Sequence, residues 1–154
     1  MFSLTKKTEY GLLALIHLSG LETGRLANVS EIARSTAIPK ELLAKILSEL
    51  VKADLAVSFP GPTGGFRLGK DASIISLAEI LQALENKTGL MECVSKNGNC
   101  HKLENCDIRS PMVRLNSKFS RILRDTKLVD FMPLPAIKGN PFPVVAETVK
   151  ENDR

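Results

Sequence analysis

Residues 60 to 65 read Pro-Gly-Pro-Thr-Gly-Gly, two prolines and three glycines in six positions. Proline fixes φ and removes a backbone donor, and glycine gives up the most conformational freedom when held in a helix or strand. No regular element can cross this stretch, so the chain must turn here. Short apolar runs flank it, Leu55-Ala-Val-Ser-Phe59 before and Phe66-Arg-Leu68 after. Both suit strands, and together with the turn they predict a hairpin with a glycine-rich tip. What precedes the hairpin is helical in pattern.

Residues 5 to 19 predict a first helix, with Thr5 as cap, Glu9 in the first turn and Gly20 at the exit. Leu12, Leu13, Leu15 and Ile16 are dense enough to predict packing on most sides. Asn28-Val-Ser-Glu31 has the form of a capping box. Val29, Ile32 and Ala33 then make a short apolar stripe, which Ser35-Thr-Ala37 breaks. Pro39 fits the first position of a new helix. In that helix Leu42, Ile46 and Leu50 repeat at four-residue spacing, flanked by Leu43, Leu47 and Val51, while Lys40, Glu41, Lys45, Ser48 and Lys52 occupy the other face. Helix, tight turn and longer helix match a helix-turn-helix, whose second helix enters the DNA major groove. A helical hairpin with a solvated face would share that pattern. The glycine-rich ribbon directly after the second helix is more specific, because it makes the ribbon a wing. Backbone at Gly61, Pro62, Gly64 and Gly65 could approach a sugar–phosphate chain closely, with Arg67 adding charge. The alternative is an ordinary surface hairpin. The candidate DNA-contacting set is Ser30, Lys40, Glu41, Lys45, Gly61, Pro62, Gly64, Gly65 and Arg67.

Ser76-Leu-Ala-Glu79 is a second capping box, and Leu77, Ile80, Leu81 and Leu84 form one helical face, expected to lie beneath the wing and to end near Asn86. The three cysteines follow, Cys93, Cys100 and Cys106, in the pattern C-x6-C-x5-C. A polar, glycine-containing stretch is a poor place to bury three small hydrophobes and a good place to present three thiolates to one centre. Thiolates favour iron–sulfur clusters and zinc, although the spacing is wider than a zinc knuckle. Three unrelated thiols, or a disulfide and one spare, are the alternatives. A further helix starts near Ser110-Pro111. Its Met112, Leu115, Phe119 and Ile122 follow a 3-4-3 rhythm, with Arg114, Lys118, Arg121 and Arg124 off the seam. That seam is expected to meet a second copy of the chain. The alternative is its own core. Pro133, Pro135, Pro141 and Pro143 forbid a continued helix. The organisation expected is a DNA-binding unit over 1–87, a cysteine loop over 88–108, a dimerisation helix over 109–130 and a proline-rich, flexible tail over 131–154. The fold class is mainly α with a small β-wing.

An apolar fraction of 44% suits one globular core, and no run approaches the length of a membrane span. Three cysteines, an odd number, and an opening Met-Phe-Ser-Leu-Thr-Lys-Lys without an apolar h-region lead us to expect a cytoplasmic chain in a reducing compartment. The net charge of +4 is a mild hint of an anionic partner. No second cluster of histidines or carboxylates and no phosphate-binding glycine motif opening a helix argues for an enzyme.

Over about residues 1 to 130 the chain resembles the IscR/NsrR-type winged-helix regulators of bacteria. The resemblance rests on Leu4-Thr-Lys-Lys-Thr-Glu-Tyr10, on Leu42 to Leu55, on Gly61-Pro-Thr-Gly-Gly-Phe-Arg67, on Ile75-Ser-Leu-Ala-Glu-Ile80 and on the three-cysteine stretch. It implies a homodimer crossed through the long helix, bound to double-stranded operator DNA. It also implies a 2Fe-2S or 4Fe-4S cluster on Cys93, Cys100 and Cys106 that senses redox state, nitric oxide or iron. Two departures stand out. IscR-like members take a fourth ligand from a histidine three residues after the last cysteine, where this chain has Arg109, which offers no lone pair. NsrR-like members use an acid early in the first helix of the partner subunit, which makes Glu9 the candidate fourth ligand, with His101 and Asp107 as alternatives by proximity. Many relatives also carry an arginine just before the wing's Gly-Pro, where this chain has Pro60. The alternative function is a cluster-free, thiol-based regulator of the same fold, with Cys100 beside His101 and Lys102 as the reactive thiol.

Overall fold

The structure, a computed structural model, describes residues 4–86 and 106–132. The elements run α1 (Lys6–Ser19), α2 (Val29–Thr36), α3 (Lys40–Lys52), β1 (Ala56–Phe59), β2 (Gly65–Leu68), α4 (Leu77–Glu85) and α5 (Arg109–Asp125), with a 3₁₀ turn at Leu128–Phe131. The chain is mainly helical with a two-stranded antiparallel wing. The strands pair Ala56 with Leu68 through Phe59 with Gly65.

Each helix starts where its side chains can satisfy orphan backbone donors. Thr5 caps α1 by accepting from the Thr8 N–H. Asn28 caps α2 by accepting from the Glu31 N–H at 3.0 Å. The reciprocal arm of a capping box is not made there, because the Glu31 carboxylate turns to Arg25 at 2.6 Å. Pro39 stands one position outside α3, as its N-cap, with extended backbone (φ −55°, ψ 130°). Ala37 before it takes a left-handed conformation at φ 56°, which closes the tight turn between α2 and α3. At α4 the capping box is complete. Ser76 and Glu79 satisfy each other's N–H groups, and Glu79 also pairs with Lys70 at 2.9 Å. Partial burial pushes the Glu79 carboxyl up, but the Ser76 N–H, Lys70 and the Ser76 hydroxyl together overcome that and hold it at about 2.

Helices α1, α3 and α4 pack on one another, and α2 closes the other side of α1 and α3. Their common core contains Leu15, Ile32, Leu43, Ile46, Leu47, Leu50, Leu55, Ile75, Ile80 and Leu128, all fully buried. Burying each such side chain contributes about 1.5–3 kcal/mol. The core explains two differences from the sequence reading. In α1, Leu12 and Leu15 face inward and Leu13 faces out. In α3 the inward face is Leu43, Ile46, Leu47 and Leu50, so the four-residue stripe beginning at Leu42 is cut short and Leu42 is exposed. The wing rests on α1 and α3, whereas α4 packs on α1, α3 and α5 rather than principally beneath the wing.

The segment after α5 is stitched to the start of α4. The Leu77 N–H donates to the Thr126 carbonyl at 2.9 Å and the Leu128 N–H to the Ile75 carbonyl at 2.8 Å. This anchors the last turns of α5, where Leu123 is buried and Phe119 packs against the core of its own chain. The expected seam is therefore divided. Phe119 is spent within the chain, while Leu115 and Ile122 stay exposed. Residues 88–105 and 133–154 of the expected cysteine loop and tail lie outside the described residues.

Candidate nucleic-acid interface

The outward face of α3 carries Lys40, Glu41, Leu42, Ala44, Lys45 and Ser48, all exposed. The ion pairs among the described residues are Lys6–Glu9, Lys7–Glu49, Arg25–Glu31 and Lys70–Glu79. They leave Lys40, Lys45, Lys52 and Arg67 without an acidic partner among those residues. An unneutralised cationic helix face is what a phosphate chain attracts, by releasing its condensed counterions. Ser30 lies in the first turn of α2 and is half-buried.

The wing follows α3 after a short turn, so its position is tied to that helix. Its glycines answer different needs. Gly65 is buried, and a Cβ there would stand 2.7 Å from the Ala27 carbonyl oxygen. That close approach lets Ala27 pair with Phe66, the Ala27 N–H donating at 3.0 Å and the Phe66 N–H returning at 2.8 Å. Gly64 is required by the turn itself, since a Cβ would meet the Phe59 carbonyl oxygen at 2.1 Å. Gly61 has φ +105° with open space around it, at the tip beside the exposed Pro62. The glycines at 64 and 65 thus serve the hairpin's own packing, and Gly61 with Pro62 forms the part that a partner could touch. Arg67 is exposed and its guanidinium lies 4.9 Å from the centre of the Phe59 ring. This cation–π contact is worth about 0.5–1 kcal/mol at such a site and holds the charge in place. Phe59 was not among the sequence candidates. The hairpin register carried the signal, because Val57 opposite Arg67 puts Phe59 diagonally across on the same face.

A second cluster lies where α1 begins and α4 ends. Lys7 donates to the Leu84 carbonyl at 2.6 Å and pairs with Glu49 of α3 at 2.6 Å. Glu85 accepts from the buried Thr8 hydroxyl at 2.8 Å and from the Thr5 hydroxyl. Periodicity gave no signal of this cluster, since its members are far apart in sequence.

Of the proposed cluster ligands, Cys106 and Glu9 are described. Cys106 is half-buried and its thiol is free among the described residues. It stands just before α5, where its carbonyl accepts from the Arg109 N–H at 3.2 Å, and the field of a helix N-terminus suits an anionic ligand sulfur. Glu9 is exposed on α1 and paired with Lys6 at 2.7 Å, an exposed pair that another partner could displace at little cost. Asp107 is exposed. Cys93, Cys100 and His101 lie outside the described residues, and among the described residues no three histidines, cysteines or carboxylates gather at one point. The donor types fit iron, three soft thiolates with a carboxylate to complete the set.

The Rrf2 family, described as iron-dependent transcriptional regulators, matches residues 4–133. The chain belongs to this family. Its members are transcription regulators and not enzymes, so the winged helix here is a DNA-binding one. Among solved structures the chain is similar to CymR (YrzC), the global cysteine regulator of B. subtilis, at 23% identity and a TM-score of 0.66, over 84% of this chain and 95% of that one. The oxidized form of Staphylococcus aureus CymR matches at 23% identity and a TM-score of 0.59, over 82% and 93%. IscR of T. potens matches at 19% and 0.60, over 84% and 85%. At these identities the likeness speaks for the fold. No described helix is long and apolar enough to cross a membrane.

Proposed function

We infer that this Rrf2 chain is a homodimeric regulator that binds operator DNA and senses redox state, nitric oxide or iron through an iron–sulfur cluster. The observation that carries the DNA half is the cationic face of α3 beside the wing, whose lysines have no acidic partner among the described residues. In this reading Lys40, Glu41 and Lys45 face the major groove, Ser30 touches the backbone from α2, and Gly61, Pro62 and Arg67 lie against sugar and phosphate. Gly64 and Gly65 act by shaping the wing. The sensing half is supported by three cysteines in one polar stretch and by the family's iron dependence. Cys93, Cys100 and Cys106 would hold the cluster, with Glu9 from a partner chain completing it. When bound, the cluster supplies a centre open to oxidation and nitrosylation. The dimer half is supported by the exposed Leu115 at 47% and Ile122 at 60% on α5.

Anaerobic purification is expected to give a brown protein whose operator affinity changes when the cluster is lost. A colourless protein that takes up neither iron nor sulfide, yet still regulates, would rule the cluster out. Lys45→Ala is expected to weaken binding about uniformly across sequences, and removing Arg67 to flatten the salt dependence by about one phosphate contact. Unchanged affinity in both variants would count against this face.

A second reading keeps the fold and replaces the cluster with thiol oxidation. It is favoured by the thiol of Cys106, free among the described residues, and by the likeness to the CymR proteins, described as a global cysteine regulator in B. subtilis and solved in an oxidized form from Staphylococcus aureus. Metal analysis, followed by DNA titration with and without peroxide, separates the two.

A further inference from the structure

Leu42 is the large aliphatic side chain exposed on the outward face of α3. Three helix positions later stands Lys45, and Lys40 and Glu41 precede Leu42 in the same first turn. The side chain is 39% exposed, whereas Leu43, Ile46, Leu47 and Leu50 of the same helix are at 0%. It is absent from the core cluster and from the partly buried groups packed against it. Nothing in helix propensity calls for leucine here over lysine, glutamate or glutamine, which form helices about as well and would suit water better. An apolar group among charges that have no ion-pair partner among the described residues therefore fits a surface that is itself charged and carries an apolar feature.

Duplex DNA offers one such feature in the major groove. Base edges there present donors and acceptors throughout, with the 5-methyl group of thymine as the apolar exception. The N-terminal residues of the second helix of a helix-turn-helix are those that reach base edges, and Leu42 lies in that first turn. We propose that Leu42 is a specificity-determining residue that packs on a thymine methyl in each half-site, while Lys40 and Lys45 hold the neighbouring backbone. The proposal rests on the DNA-binding reading of α3 and adds to it a base identity. Removing one methyl from such a contact loses about one methylene's worth of burial, roughly a three- to fourfold fall in affinity per half-site.

The test uses the full-length reduced protein and duplexes that it enriches from a randomised library. In the best duplex each thymine is replaced in turn by deoxyuridine, which keeps every hydrogen-bonding group and loses only the methyl. Wild type, Leu42→Ala and Leu42→Met are then titrated against the series. We expect one thymine per half-site at which deoxyuridine weakens wild type and Leu42→Met about three- to fourfold and leaves Leu42→Ala unchanged. The same deoxyuridine profile in wild type and Leu42→Ala would overturn the proposal. So would a Leu42→Ala protein whose melting point or oligomeric state falls while its profile stays that of wild type, since Leu42 would then be covered by protein. If wild type enriches no duplex at all, the DNA-binding reading of α3 fails and this inference with it. A duplex that is enriched but indifferent to deoxyuridine sinks the inference alone.

Discussion

Helices α4 and α5 bear apolar stripes of the same kind and meet opposite fates. α4 has nine residues, a complete capping box and four buried side chains, Leu77, Ile80, Leu81 and Leu84. α5 has 17 residues, no side-chain cap and a single buried residue, Leu123, with Val113, Leu115 and Ile122 left in water. A short helix is thus fully satisfied inside the chain, and a long one is satisfied only near its end. The difference teaches that an apolar stripe measures the need for a partner and says nothing about whose surface supplies it. In proteins most helical stability comes from packing of an apolar face, so packing decides their persistence. For α4 that packing is intramolecular; for the rest of α5 we propose a second copy.

The comparison can be broken most forcefully at Ile80. Ile80→Ala opens a cavity where α4 meets the core and is expected to remove about 2–5 kcal/mol in urea titration. A loss below 1 kcal/mol would show that α4 is less essential than its burial implies. On α5, Ile122→Lys should leave the fold of the single chain intact and weaken the dimer, by about 1.5–3 kcal/mol per chain on sedimentation at falling concentration. A variant that stays dimeric at every concentration removes the proposed role of α5. A smaller effect sharpens the contrast in caps. Ser76→Ala is expected to cost about 1 kcal/mol, whereas Ser110→Ala, at an α5 start with no side-chain cap, should stay within about 0.5 kcal/mol on thermal melting.

The smallest effect is in acid. The Glu79 carboxyl is held at about 2, below its ordinary 4.5. A depressed carboxyl contributes stability that is complete above pH 4.5 and lost as pH falls toward 2. Glu79→Gln should therefore lower stability at neutral pH and flatten the acid limb of the stability profile in that window. An unchanged limb would mean that the capping box does not act through charge.

Much of the DNA-binding half was legible. Ser76 and Glu79 declare the start of α4 because their pairing is local, and Pro60 to Gly65 declare a turn because no other backbone accommodates them. Leu42 was misread for a physical reason. Leu42, Ile46 and Leu50 repeat at i, i+4, i+8, while Leu43, Ile46, Leu47 and Leu50 run i, i+3, i+4, i+7, and the two sets share Ile46 and Leu50. The packing of α3 against α1 and α4 buries the second set and leaves Leu42 at its edge. Glu31 likewise promised a capping box by spacing and went to Arg25, a competitor six residues away. The glycine at 65 was read as an approach to DNA, and its nearest demand proved to be Ala27, a contact across the chain. Of the four candidate cluster residues, Glu9 and Cys106 are placed on α1 and before α5, and Cys93 and Cys100 lie outside the described residues.

One ammonium, that of Lys7, grips both the Leu84 carbonyl at the foot of α4 and the Glu49 carboxylate on α3. Asn86 ends α4, and the chain runs from there toward the cysteines. Through this one side chain the end of α4 is tied to α3, the helix proposed to lie on DNA.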